Sequence, residues 1–403
     1  MKAVMYGAGN IGRGFIGALF SLSGYQVTFI DVSKPVVEAL HTRGSYPVRV
    51  LTGEGYEDML VHPVDAVDGT NTSEVVKTIA EADIMATAVG AKVLKIIAPN
   101  IAAGLKERFA NGAKPLNILI CENLIDANRV LEGLLLEHLT SAEQAWFSEN
   151  VGLVEASIGR MVPIQTLEMQ DGDPLRVCVE RYGYLPVDRD AFRGEIPQIS
   201  QMVPFSPFDF YIRRKLYVHN LGHAVAAYLG LYAGRERIAD AIDDPDICLL
   251  TQGAMLESAE ALSARYGVPM SELLLHIQDL LGRFTNRSLG DTCARVGADP
   301  ARKLASHDRL IGPARLCLEQ SVAPAYLCVG AAGAVYEYLK ENGREQTNRN
   351  AAAALRELSA IDDGEPILDG ILGYYALLVK GENVAEVRRA AQKAKATASS
   401  GVI

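Results

Sequence analysis

The chain of 403 residues contains no run of about 18 apolar residues, so no membrane-spanning helix is expected. Its N-terminus shows no charged segment followed by an apolar stretch and a cleavage site, which argues against a secretory leader. Cysteines are few: Cys121, Cys178, Cys248, Cys293, Cys317 and Cys328 form no Cys-x-x-Cys pair and lack the dense spacing of a disulfide scaffold. A reducing, cytoplasmic compartment is the expectation. Excess positive charge is missing too, since 39 Lys and Arg stand against 49 Asp and Glu for a net charge of −10. A broad nucleic-acid surface is therefore not expected, and an anionic ligand must be met by a local basic cluster. Repeats and low-complexity tracts are absent.

What is present has the balance of a globular protein, 49% apolar and 22% charged, in a length that favours two domains. In the first half, short apolar runs at 2–6, 26–30, 83–89, 117–121 and 152–157 alternate with helical patterns at 11–22, 34–43, 72–80, 92–110 and 126–140. That alternation predicts an α/β domain, a parallel sheet covered by helices. Residues 176–192 alternate as further strands at the sheet's edge. Beyond about 195 helical periodicity dominates, with helices expected at 208–232, 235–243, 246–266, 270–284, 313–339, 346–361 and 365–380. The predicted organisation is an α/β domain over 1–194, an all-α domain over 195–387 and a fraying tail over 388–403.

The first strand runs into Gly7-x-Gly9-x-x-Gly12, and a helix follows. Glycine at these places serves a tight turn, close approach of backbone to a pyrophosphate, and packing of helix on strand. The helix N-terminus adds N–H donors and partial positive charge. Asp31 ends the second strand about 20 residues on, where an acid accepts from the adenosine ribose and repels a 2′-phosphate. This predicts a Rossmann-type, doubly wound sheet binding NAD rather than NADP, with Gly7, Gly9, Asn10, Ile11, Gly12 and Asp31 as the cofactor set. Asn10 and Arg13 either cap the turn or touch the phosphates.

The densest group of reactive side chains is Lys215-Leu-Tyr-Val-His219-Asn220-Leu-Gly-His223. On an α-helix Lys215, His219, His223 and Asn220 fall at about 0°, 40°, 80° and 140°, within one half of the surface. Oxidation of an alcohol by hydride loss also requires a base for the hydroxyl proton and donors for the developing alkoxide. Lys215 suits the base, Asn220 a non-titrating donor, and His223 a group that steers the hydroxyl. His219 and His223 also stand four apart, as zinc ligands on a helix do. No Glu follows His219 and no third ligand is near, so no metal is expected and His219 is read as structural. Asn123, in Cys121-Glu122-Asn123 after an apolar strand, either faces the reacting groups or caps the next helix.

Together these segments resemble the polyol-specific long-chain dehydrogenases, over nearly the whole chain. The resemblance is carried by residues 7–17, by Cys121-Glu122-Asn123, by Lys215-Leu-x-x-x-Asn220-x-Gly222-His223-Ala224, by Gly282-Arg283-Phe284-x-Asn286, by Arg295-Val296-Gly297-x-x-Pro300-x-Arg302-Lys303-Leu304 and by Asp308-Arg309-Leu310-Ile311. It is strongest to the branch acting on mannitol 1-phosphate. It implies metal-independent, NAD-linked interconversion of D-mannitol 1-phosphate and D-fructose 6-phosphate. It also implies a nucleotide domain followed by a helical substrate domain with the active site between them, and often a monomer, with a dimer as the alternative. At matching positions Lys215 is the acid/base, Asn123 and Asn220 bind the reacting oxygen, and His223 orients the substrate. Arg302 and Arg309, beside Lys303, are the candidates for the phosphate, with ion pairing at the surface as the competing role. One departure concerns substrate choice: Ile158-Gly159-Arg160-Met161-Val162-Pro163 has Gly159 where many family sequences carry Asp. Another hexitol or a sugar acid is the alternative substrate, and a non-catalytic NAD-sensing protein the alternative of another class.

Overall fold

The computed structural model describes residues 1–52 and 55–400. It divides into two compact units, Met1–Asp209 and Phe210–Ile403. The strands of the first are β1 (Lys2–Tyr6), β2 (Gln26–Asp31), β3 (Tyr46–Thr52), β4 (Gly55–Val61), β5 (Val64–Asp68), β6 (Ile84–Thr87), β7 (Leu116–Ile120), β8 (Val151–Glu155), β9 (Val177–Glu180), β10 (Leu185–Asp188) and β11 (Met202–Phe205). Six of them form one sheet in the order β5-β2-β1-β6-β7-β8. All its pairings are parallel, with Lys2 opposite Gln26 and Ala3 opposite Ile84.

Successive side chains of a strand point to opposite faces, and β1 uses both. Ala3 and Met5 join Phe15, Ile16, Phe20 and Leu40 in one core, whereas Val4 and Tyr6 join Ile79, Ile101, Leu105 and Leu131 in the other. Burial on both faces explains why these strands read as continuous apolar runs. Chain order reverses across β1 and β6, which places a topological switch point at their carboxyl ends.

The strands β3, β4 and β5 were not expected. All but two of the β4 residues are exposed, so its sequence carries no apolar alternation. β9 lies beside β3 in a separate three-stranded sheet rather than at the edge of the main one. β10 does reach that edge, through a bridge from Val187 to Ala156 just beyond β8. It also pairs with β11, which draws residues 202–205 into the first unit. The division therefore falls after Asp209 and not after residue 194.

The second unit is helical, as expected. Asp209–Arg214, Lys215–His219 and Asn220–Tyr232 run on from one another, and Pro245–Tyr266, Met270–Phe284 and Ala325–Glu341 are the other long elements. The single helix expected over 313–339 is two, Ile311–Glu319 and Ala325–Glu341, because Pro324 interrupts the ladder. The tail expected to fray over 388–403 instead forms a helix, Val384–Ser400, with 401–403 outside the described residues. Its Val387 and Ala391 are fully buried, and Lys395 lies 3.4 Å from the buried carboxylate of Glu257. Among the described residues no helix is long and apolar enough to cross a membrane.

Candidate active site

After β1 the chain turns through Gly7 at φ +103°, a backbone state closed to most side chains. A Cβ on Gly12 would stand 2.0 Å from the Gly7 carbonyl oxygen, so helix and turn touch backbone to backbone. Gly9 differs, because a Cβ there would meet no heavy atom within 4 Å. The packing of the chain leaves that space open, which is the condition for a pyrophosphate to approach the backbone. The following helix is wound as a π-turn over Gly12–Gly17, a form concentrated at functional sites.

Asp31 accepts from Ala8 N at 2.6 Å and from Ser33 N at 2.9 Å, tying the end of β2 to the glycine turn. A carboxylate has about four acceptor positions, so two remain for ribose hydroxyls. Asn10 is exposed and Ile11 half-buried at the same turn. Arg13 does not reach toward phosphates: it is 6% exposed, donates from Nε to Ala8 O at 2.7 Å and also bonds Leu175 O. It forms the floor of the turn, where burial lowers its pKa.

Across the switch point, Glu122 accepts from Val89 N at 3.0 Å and Gly90 N at 2.7 Å, and so shapes the loop after β6. No role for Glu122 is predicted from sequence; its only signal there is an acid directly after an apolar strand, and its burial emerges only in the fold. Asn123 follows, exposed beyond the carboxyl end of β7. It is not the cap of the next helix, which begins at Ala127 after Asp126. Gly159 faces Tyr182, whose ring a Cβ would meet at 3.1 Å. A side chain at 159 would need that ring to give by a few tenths of an ångström. Arg160 beside them donates to Gly14 O at 2.9 Å and covers the Phe15 ring.

In the helical unit, Lys215–His219 is a second π-turn, closed by Asn220 N donating to Lys215 O. In an α-helix residues five apart lie about 140° apart. The wider turn brings Asn220 back over Lys215, which no periodicity argument foresees. Lys215, Asn220 and His223 are all half-buried on this helix. The His223 ring stacks on Phe284, with centroids 4.9 Å apart and planes at 12°. Its Nε2 is 3.5 Å from Asp291 Oδ2, and Arg295 pairs with the other oxygen of Asp291. Burial would raise the Asp291 pKa, but bonds and charges from His223 and Arg295 outweigh it and hold the group below its usual value.

His219 is buried, and its pKa lies well below the ordinary value because of burial and then the charges of Arg283, His223, His276 and Lys215. It is a neutral packing residue, its ring 6.3 Å from that of His223. His276 was not foreseen: burial, then Arg214 and Arg283, push it down to about 3, and its buried Nε2 has no hydrogen-bond partner among the described residues. Positive charge thus converges around the Lys215 turn. Among the described residues no group of three or more His, Cys, Asp or Glu is arranged to hold a metal ion.

Arg302 and Arg309 meet at Asp308, at 3.6 Å and 2.8 Å, and Arg302 also pairs with Asp299 at 2.9 Å. Ion pairing is therefore part of their role. Arg309 spends only its Nε and backbone N on Asp308, and among the described residues its two terminal nitrogens make no hydrogen bond. Tyr217 of the π-turn packs on this segment, its hydroxyl donating to His307 O at 3.3 Å. Lys303 is 4% exposed and donates to Ala298 O, which makes it structural. Burial and the charges of Arg302 and Arg309 lower its pKa from 10.5 to about 8. Between those values the unfolded chain binds the extra proton, so this group makes stability rise as pH climbs from about 8 toward 10.5. Lys303→Met is expected to lose that alkaline gain, measured as the difference in Tm between pH 7.5 and pH 10. An unchanged difference would remove the buried-amine assignment.

A parallel sheet of this order with a glycine turn at its switch point is the make-up of a dinucleotide-binding domain, and here a helical unit follows it. The chain belongs to the mannitol dehydrogenase family: residues 1–201 match its "Mannitol dehydrogenase Rossmann domain" and residues 208–367 its "Mannitol dehydrogenase C-terminal domain". Among solved structures it is similar to Pseudomonas fluorescens mannitol 2-dehydrogenase, determined with NAD and D-mannitol, at 16% identity and a TM-score of 0.76, covering 98% of this chain and 94% of that one. It is also similar to a D-sorbitol dehydrogenase in substrate-free form, at 15% identity and a TM-score of 0.81, covering 96% and 95%. At these identities the likeness is one of fold.

Proposed function

We propose that the protein is an NAD-dependent mannitol-1-phosphate 5-dehydrogenase, interconverting D-mannitol 1-phosphate and D-fructose 6-phosphate. The family membership supports a polyol oxidoreductase, and the observation that carries the phosphate is Arg309. Its terminal nitrogens, which make no hydrogen bond among the described residues, form the planar fork that suits a phosphate, in a protein whose net charge is −10. NAD is favoured over NADP because Asp31 would repel a 2′-phosphate. The open space at Gly9, the braced turn and the remaining acceptor capacity of Asp31 fit a dinucleotide.

NAD, when bound, supplies the hydride acceptor. Lys215 takes the proton of the reacting hydroxyl. Asn220 and Asn123 donate to the oxygen as it becomes an alkoxide, which raises rate because the bond strengthens with the developing charge. His223 holds the substrate hydroxyl in register with Lys215. In the reverse direction Lys215 returns the proton. A second reading, another hexitol or a sugar acid, is favoured by Gly159 and Tyr182, which alter the acidic position many relatives have.

A panel of sugar phosphates, free sugars and sugar acids, assayed through NADH, tests the proposal. Fructose 6-phosphate is expected to exceed fructose in kcat/KM by about 100-fold or more. Arg309→Ala should remove about 10- to 100-fold of that preference, the worth of one or two charged hydrogen bonds. Equal rates on the two sugars in the wild type would end the phosphate assignment.

A further inference from the structure

The proposed reading gives His223 a contact with substrate but does not say through which nitrogen. The surroundings decide it. Nε2 is buried and faces Asp291 Oδ2 at 3.5 Å. That separation is longer than a finished hydrogen bond and is the reach that catalytic pairs often show before ligand binds. The ring cannot swing away easily, because Phe284 lies flat against it. Asp291 is fixed in turn: Arg295 holds its Oδ1, its carbonyl accepts from Ile238 N at 3.0 Å, and the next residue, Thr292, bridges to Arg237. A neutral imidazole has one N–H and one lone pair, and the partner of one nitrogen sets the role of the other.

We infer that Asp291 is a positioning residue that holds His223 as the Nε2–H tautomer and leaves the Nδ1 lone pair to accept from a substrate hydroxyl. His223 then acts as an acceptor that orients the alcohol, while Lys215 remains the group that moves the proton. The inference rests on the proposed dehydrogenase reading for the identity of the hydroxyl, but the tautomer itself is a property of the free protein.

Asp291→Asn separates this from a merely structural role. The asparagine carbonyl is drawn to the Arg295 donors, so its amide N–H turns to His223 Nε2 and makes that nitrogen the acceptor. Long-range 1H–15N correlation on histidine-labelled protein distinguishes the two tautomers, and His223→Gln assigns the signal among the seven histidines. Nε2–H is expected in the wild type and Nδ1–H in Asp291→Asn. The same variant is expected to lose about 10- to 100-fold in kcat with NADH affinity unchanged, and to lose less than about threefold further in a His223→Ala background. Nδ1–H in the wild type would overturn the inference, and so would an equal loss in both backgrounds. If Asp291→Asn does not fold, the wild-type tautomer alone decides. A substrate panel with no active sugar phosphate would remove the proposed substrate and leave the tautomer result standing.

Discussion

Lys215→Ala is expected to lower kcat by about 10³-fold or more, with the NADH dissociation constant within about twofold of wild type. Removing a positioned acid/base typically costs 10²–10⁴-fold, and Lys215 is not among the residues proposed to hold the cofactor. Loss of turnover without loss of cofactor affinity therefore marks the chemistry. Lys215→Arg should be as inactive, since a guanidinium does not give up its proton near neutral pH. Small primary amines added to Lys215→Ala should restore part of the rate, because they supply the missing base and fit the volume removed. Fluorescence titration with NADH and initial rates over a range of amine concentrations check these outcomes. Turnover of Lys215→Ala near the wild-type level would take Lys215 out of the mechanism.

The second large effect separates two glycines of one motif. Gly12→Ala would force a methyl to 2.0 Å from the Gly7 carbonyl oxygen, and neither can move without moving the backbone that holds it. It is expected to cost more than about 3 kcal/mol, seen as a collapse in Tm or as insoluble protein. Gly9→Ala meets no heavy atom within 4 Å and should leave Tm within about 2 °C. Its methyl instead occupies the space proposed for the pyrophosphate, so NADH should bind at least tenfold more weakly. Thermal melts and NADH titration on the pair make the comparison. Unchanged NADH affinity in Gly9→Ala would mean that the open space serves some other purpose.

Much of this arrangement was legible in the residues, and the parts that were not have identifiable reasons. The strands β1, β2, β6, β7 and β8 were readable because burial on both faces leaves an unbroken apolar run. Exposed β4 left none. The helix expected over 313–339 extended through Pro324 because apolar periodicity continues on both sides of it. The tail over 388–403 is rich in Ala, Ser and Lys, yet it continues a helix that Val387 and Ala391 anchor by burial. Among the candidate site residues, Gly7, Gly9, Gly12, Asp31 and the Lys215–His223 run stood out by spacing. Glu122, Asp291 and His276 did not, since a lone acid or histidine is common and its meaning depends on what folding places beside it.

The sequence by itself determined the two-part architecture, the glycine turn after the first strand and the run that carries Lys215, Asn220 and His223, while the π-turn decided which of them share a face. These depend on local rules, namely periodicity, glycine geometry and the order of strand and helix, all acting over a few residues. Tertiary structure decided the roles that depend on long-range neighbours. It turned Arg13 from a phosphate candidate into a brace beneath the turn. It tied Arg302 and Arg309 to Asp308, with no hydrogen bond from the Arg309 terminal nitrogens among the described residues. It also set Asp291 opposite His223. Burial and charge at a side chain are sums over residues distant in sequence, and only the folded chain brings those residues together.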